Sequence, residues 1–474
     1  MEETAERDQP LTPAGRLFLQ PGMDQVINCA IAVDSPLDVD AIKAEVRSSI
    51  MLKHPRFCSL MVRDSCGREH WRKTQVDVDR HVIVRHHPLS DGDPSISDED
   101  AVNDFIADLS VSSPLPTDKP LWEIHLLTAH KTLVFRVHHA LGDGISLMSM
   151  LLSCCRRADD PAQRPTIGGV GSASAAPNRR RWSVLALVKV VWFTLIYVLE
   201  FVLRVLWLKD KTTAVSGGDG VELWPRRLAS ARFRLDDMKI VKRVVADAEV
   251  QFSLQSHKMR IAHSSTPLVG LAPSVHVAQR RFGGSENTGF RGNFGSKGLV
   301  KTINDVLFGI ISCGLSRYLD IRSPKGKDHA LPEGLRMTGV AMVNLRSQAG
   351  LQDMSKLMNS NSGSQWGNKF GMLLLPVYYH RGGSDPIQFV KRAKAMIDKK
   401  KLSLEAPFSY KIGDLIMSLF GAKAVTMHMV SYAGIADLQI LVAKEIIPDP
   451  KVLAKCFEDA LLEMKEIAEA ASKS

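Results

Sequence analysis

Residues 135–148, FRVHHALGDGISLM, place His138 and His139 side by side, with Asp143 and Gly144 just beyond them. Three readings use such a set: a metal site, a catalytic base with its scaffold, or a plain strand-to-helix turn. In TLVFRVHH, alternation puts Leu133, Phe135, Val137 and His139 on one strand face and Val134, Arg136 and His138 on the other. Two adjacent strand histidines therefore do not easily share one ion, and no third His or carboxylate ligand stands out. The base reading fits better. A strand end and a tight turn would hold His139 at the rim of a cleft, where neutral imidazole takes a proton from a hydroxyl near pH 7. Asp143 then reads as structural, capping the next helix or pairing with a distant Arg. Gly144 reads as the residue that lets the backbone turn where a side chain would clash.

The flanking elements alternate between strand and helix. DVDAIKAEVRSSIMLKHP (38–55) puts Ile42, Val46, Ile50 and Leu52 near one helical face, with Pro55 as the stop. DGISLMSMLLSCC is a helix with Asp143 as N-cap. Beyond residue 222 a second α/β region follows. It holds a helix over 302–320 with Thr302 and Asp305 as a capping box, a strand in RMTGVAMVNLR, and a helix opened by Asp385-Pro386. ADLQILVAKEI reads as a strand. Asp449-Pro450 opens a last helix with Val452, Leu453, Cys456, Phe457, Leu461 and Met464 inward. No repeat or coiled coil is visible.

A chain of 474 residues is too long for one ordinary core, and its 45% apolar content is that of a globular protein. The division expected is an N-terminal half (1–160), a linker (161–181), a hydrophobic segment (182–210) and a C-terminal half (222–474). Segment 182–210 is the most hydrophobic part of the chain and long enough to span a bilayer. Lys189, Glu200 and Arg204 fall within about 60° of one another on a helical wheel, and Trp182, Trp192 and Trp207 suit an interface. The segment reads as a membrane-embedded or interfacial helix with a polar stripe, against a buried helix whose charges are paired. The net charge of +10 suits an anionic membrane or a phosphate-bearing ligand, and it is not gathered into a nucleic-acid-type basic helix. Seven cysteines without a C-x-x-C pair argue for a reducing compartment, and the acidic, polar start is not a signal peptide.

H-H-x-x-x-D-G resembles the active-site signature of CoA-dependent acyltransferases with the chloramphenicol acetyltransferase-like fold. PLWEIHLL (120–127), TINDV (302–306), VNLR (343–346), WGNKFG (366–371), RAKAMIDKKKLSLEA (392–406) and IPDP (447–450) occur in the order seen in plant wax ester synthase/diacylglycerol acyltransferases. LTPAGRLFL (11–19) and LKHPRF (52–57) look like that family's N-terminal blocks. The resemblance implies an α/β fold of two similar domains with mixed sheets and a tunnel between them. It implies His139 as general base, His138 as its less critical neighbour, Asp143 as structural and Gly144 in the turn. It also implies acyl-CoA as co-substrate, a long-chain alcohol or diacylglycerol as acceptor, no acyl-enzyme, no bound cofactor or metal, and no nucleic-acid partner. The expected location is the endoplasmic reticulum membrane, with the plasma membrane second. The rivals are an impaired lipid-binding or scaffold member and a BAHD-type enzyme with soluble acceptors; a metal hydrolase is more distant. The BAHD reading is disfavoured by the lipid-like 182–208 and by the lack of a D-F-G-W-G stretch.

Two stretches depart from the family pattern. Residues 250–300 intervene where a short gap is expected; they are rich in Gly, Ser and Asn and are expected to be disordered. Their basic cluster leaves a membrane-docking loop as the alternative. Near 423–425, a block with an S-N-x-x-G-P-type strand and turn is missing. The two departures together suggest an alternative transcript or an imperfect gene model.

Overall fold

The computed structural model describes residues 8–11, 15, 16, 18, 19, 25–90, 95–156, 160, 184–217, 221, 224–245, 303–323, 331–346, 366–382, 385–412 and 425–473. The linker 161–181, the insertion 250–300, Thr302, Lys423 and Trp182 lie outside them.

In chain order the N-terminal half comprises β1 (Gln9–Pro10), β2 (Val26–Ala32), α1 (Val39–Ser48), β3 (Ser59–Arg63), β4 (Glu69–Lys73), β5 (Val82–Arg85), α2 (Asp98–Ser112), β6 (Trp122–Leu127), β7 (Thr132–His138) and α3 (Gly144–Cys154). Helix α4 (Val184–Leu206) follows. The C-terminal half comprises β8 (Arg226–Arg234), α5 (235–245), α6 (Ile303–Arg322), β9 (Arg336–Asn344), β10 (Phe370–Tyr378), α7 (Pro386–Lys401), α8 (Glu405–Lys411), β11 (Val425–Tyr432), β12 (Ile435–Ala443) and α9 (Pro450–Lys473).

The main N-terminal sheet has the order β2-β7-β6-β5, with only the β5–β6 pair parallel. Its inner strand β6 is buried along its whole length, as WEIHLL must be when both faces are covered. In the C-terminal half, β11-β12-β8 is an antiparallel sheet, and β9 pairs separately with β10. Ala436, Leu438, Ile440 and Val442 alternate inward on β12 and share one core with α5, α6, α7 and α9. The fold is mixed α/β, as expected, and the sheets of the described residues are not closed. The halves meet where α2 lies near β8: Val102, Ile106 and Leu127 pack together with Leu228, and Arg232 pairs with Glu99 at 2.7 Å.

Three local expectations need correction. Helix α1 ends at Ser48, not at Pro55. The Ser49 hydroxyl donates to the Val46 carbonyl (2.7 Å), and Ile50 and Leu52 reach the core from the turn that follows. Pro55 instead opens a short 3-10 turn. On α9, Val452 faces solvent, while Leu453, Cys456, Phe457, Leu461 and Met464 face the core. Finally, β7 stops at His138. His139 is the first residue of a 3-10 turn, so it is released from the strand's alternation.

Candidate active site

The turn 139–143 joins β7 to α3. The His139 N–H donates to the Gln25 carbonyl (2.8 Å), and the His138 ring accepts the Ala140 N–H at Nδ1 (3.1 Å). His138 is therefore a buried brace of the turn. The His139 ring stacks on Phe18, with centroids 3.8 Å apart, and Phe370 approaches its edge at 6.0 Å. Burial in this aromatic setting pushes its pKa down to about 4, although the residue as a whole is only half-buried. The imidazole is neutral at pH 7.

One segment of the C-terminal half, 366–370, contacts the whole turn. Trp366 Nε1–H donates to the Leu141 carbonyl (2.8 Å), and the Lys369 N–H donates to Asp143 Oδ2 (3.0 Å). Asn368 Nδ2–H donates to the His139 carbonyl (2.9 Å), while its Oδ1 lies 3.0 Å from His139 Nδ1. An amide that donates through Nδ2 must offer Oδ1 as an acceptor. Nδ1 of His139 thus carries the hydrogen, and Nε2 keeps its lone pair.

The glycines of WGNKFG have distinct reasons. Gly367 has φ +101°, which L side chains rarely adopt, and a Cβ on Gly371 would meet the Ala406 carbonyl oxygen at 2.1 Å.

Asp143 caps α3 by accepting the Ser146 N–H at Oδ1 (3.0 Å), and it pairs with both terminal nitrogens of Arg346 at 2.7 and 3.0 Å. Arg346, whose side chain is fully buried, also donates to the Ser146 hydroxyl (3.0 Å) and the Gly367 carbonyl (2.6 Å). Gly144 does not act as expected. A Cβ there would meet nothing within 4 Å, and its φ is outside the left-handed region. It is the exposed first residue of α3, so no clash requires glycine.

The structure brings His139 and Asp143 together within one clasped turn, with His138 behind it. In the sequence the partners Phe18, Arg346, Trp366, Asn368 and Phe370 stand out only as parts of LTPAGRLFL, VNLR and WGNKFG. The signal was their block order; nothing local told which residue would face His139. Among the described residues, no group of three His, Cys, Asp or Glu side chains is placed to hold a metal ion.

The profile described as wax ester synthase/diacylglycerol acyltransferase catalytic domain matches residues 34–250. The WS/DGAT C-terminal domain profile matches in two pieces, 366–426 and 422–465. Wax ester synthase/diacylglycerol acyltransferase 11 of Arabidopsis thaliana is 32% identical over 89% of this chain and 78% of its own length. Wax ester synthase/diacylglycerol acyltransferase 5 of the same plant is 27% identical over 99% of this chain and 95% of its own. That alignment runs over 542 residues against the 474 of this chain. Among solved structures, the wax ester synthase/diacylglycerol acyltransferase from Marinobacter aquaeolei VT8 has a TM-score of 0.54 at 16% identity, covering 97% of this chain and 100% of that one. The first condensation domain of the CDA synthetase also scores 0.54, at 14% identity, covering 98% and 97%. At such identities the structural likeness speaks for the two-domain fold.

Proposed function

Because the chain belongs to the wax ester synthase/diacylglycerol acyltransferase family of acyltransferases, we propose that it esterifies a long-chain alcohol or diacylglycerol with acyl-CoA, using His139 as general base. One observation carries this: a neutral imidazole whose Nδ1 is held by Asn368, leaving the Nε2 lone pair for the acceptor hydroxyl. In the proposed step the hydroxyl oxygen forms a C–O bond to the thioester carbonyl carbon, and its proton passes to Nε2. The C–S bond then breaks, and the proton returns to the departing CoA thiolate. No acyl-enzyme forms. Rate is gained by aligning two bound substrates and by proton removal, the latter worth roughly 10²–10⁴-fold. The endoplasmic reticulum membrane is the expected place of work, since both products are lipids and α4 is long and apolar enough to cross a bilayer.

A second reading, a member with impaired turnover, is supported by the C-terminal profile, whose two pieces overlap at 422–426, where we read an S-N-x-x-G-P block as missing. That block would complete the wall beside His139 and keep the site dry.

The test is a lipid-product assay on membranes of a triacylglycerol-deficient host expressing this chain. Wax ester or triacylglycerol should form, and His139→Ala should lower it by at least about 10²-fold. His138→Ala should cost less. Equal retention in both variants removes the base assignment. Weak activity that recovers when the block is grafted between Lys423 and Thr426 selects the second reading, and His139→Ala is then measured in the grafted chain.

A further inference from the structure

Helix α4 has two faces of opposite character. One is held against the C-terminal half. Thr194 Oγ1 accepts the Leu404 N–H (3.1 Å), and Lys400 Nζ lies 4.0 Å from the centre of the Tyr197 ring. Glu200 pairs with Arg336 and with Lys400, and Phe201 is fully buried. Arg204 reaches Asp210 at 2.9 Å and Thr338 Oγ1 at 3.1 Å. Lys400 is itself buried and paired with buried Glu405 at 2.8 Å. The other face exposes Val184, Val188, Val191, Trp192, Leu195 and Leu199, each more than half exposed. They recur at helical spacing and form one continuous apolar stripe. Such a patch on a soluble surface marks an interaction site.

Length alone suggests a crossing helix: 23 residues give about 34 Å, against a hydrocarbon core of roughly 30 Å. The contacts argue against it. From Thr194 onward the helix is bound sideways to α8, to the start of β9 and to the end of α7. A crossing helix would carry Lys400, Glu405, Arg336 and the edge of a two-stranded sheet into hydrocarbon, where backbone and charges lack water. The alternative is a helix lying flat, with only its outer face in lipid. Trp192 and Trp207 are exposed, as interfacial tryptophans are. Lys189, Lys209 and Lys211 are also exposed, beside and just beyond the stripe. Their charge complements an anionic headgroup layer.

We propose that α4 docks in the plane of an anionic lipid surface, its 184–199 face sunk roughly 5–10 Å to the acyl boundary, so that both halves of the protein remain on one side. This rests on the membrane association proposed above and adds its geometry.

The test uses the full chain with sealed phosphatidylcholine vesicles, with and without phosphatidylserine. Flotation should show binding that is several-fold stronger with phosphatidylserine. Leu195→Glu combined with Leu199→Glu should reduce binding at least about tenfold, with the melting temperature unchanged because both side chains are exposed. For topology, Arg181→Cys and Lys211→Cys are labelled with an impermeant maleimide and located by peptide mass. Reaction of both from outside supports the flat helix. Protection of one until detergent is added means the helix crosses, and overturns the proposal while leaving membrane association intact. Equal binding to both vesicle types overturns the anionic preference. Failure to float with either removes the membrane reading itself. A dimer that the double variant dissociates, with no vesicle binding, would assign the stripe to a second copy of this chain.

Discussion

The turn 139–146 and helix α4 both set charges within apolar runs, and they resolve the conflict differently. In the turn, Asp143 and Arg346 satisfy each other and five further groups: the Ser146 N–H and hydroxyl, the Lys369 N–H, the Gly367 carbonyl and Asn344 Oδ1. Every polar group in that set has a protein partner, so the turn that carries His139 is fixed. In α4 only one face is treated this way. Glu200 is matched by Arg336 and Lys400 and Arg204 by Asp210 and Thr338, while the opposite face is exposed and no described residue covers it. A closed polar network builds a rigid site; a half-closed one leaves a surface for a partner.

Variants that open each network in turn should separate them. Arg346→Ala should have the largest effect, because it strands Asp143 inside the protein. A loss of about 3–5 kcal/mol is expected, read from urea midpoints. A loss below about 1 kcal/mol would mean that the clasp is incidental. Asn368→Ala comes next. It should lower acyl transfer roughly tenfold or more by freeing the His139 tautomer, with a smaller change in melting temperature and with the acid limb of the rate profile displaced. Asn368→Asp should not restore wild-type behaviour, since a carboxylate would favour the imidazolium. An unchanged pH profile in both variants would make Asn368 a packing residue.

The pH dependence of stability follows the same contrast. Burial lowers the His139 pKa to about 4 and that of His54 to about 3. Between those values and the ordinary 6.5 the unfolded chain binds more protons than the folded one. Stability should therefore fall as pH drops below about 6.5 and hold steady above it, with up to about 2 kcal/mol lost per histidine by pH 5. His139→Ala should fall less steeply. Helix α4 gives a milder case: Glu200→Gln should cost about 1–2 kcal/mol, because the group is partly exposed and Lys400 keeps Glu405. Limited proteolysis around 207–217 should become faster. The smallest effect belongs to Gly144→Ala, expected within about 0.5 kcal/mol, because a methyl group there meets open space.

Local pattern was enough to locate the strand ending in two histidines, Asp143 as a helix cap, the Asp385-Pro386 and Asp449-Pro450 helix starts, and the hydrophobic helix itself. Each follows from residues within a turn or two of one another: alternation, capping and proline's fixed φ. The polar stripe on α4 was also visible, because helical spacing alone puts Glu200 and Arg204 on one side. Other features had no local cause. Arg346 reaches Asp143 across 203 positions and Asn368 reaches His139 across 229, and only packing one half against the other brings them within 3.0 Å. Ser49 rather than Pro55 ended α1, since a hydroxyl bonded to a carbonyl competed with the helix before proline could. Whether a glycine is needed also depended on neighbours from afar: Gly371 lies against the Ala406 carbonyl, whereas Gly144 lies against nothing. The chain's own pattern set which residues were apolar, capped or able to take a proton. Which of them would meet was decided by long-range packing, because contact between distant segments depends on how whole elements stack and not on any short stretch of sequence.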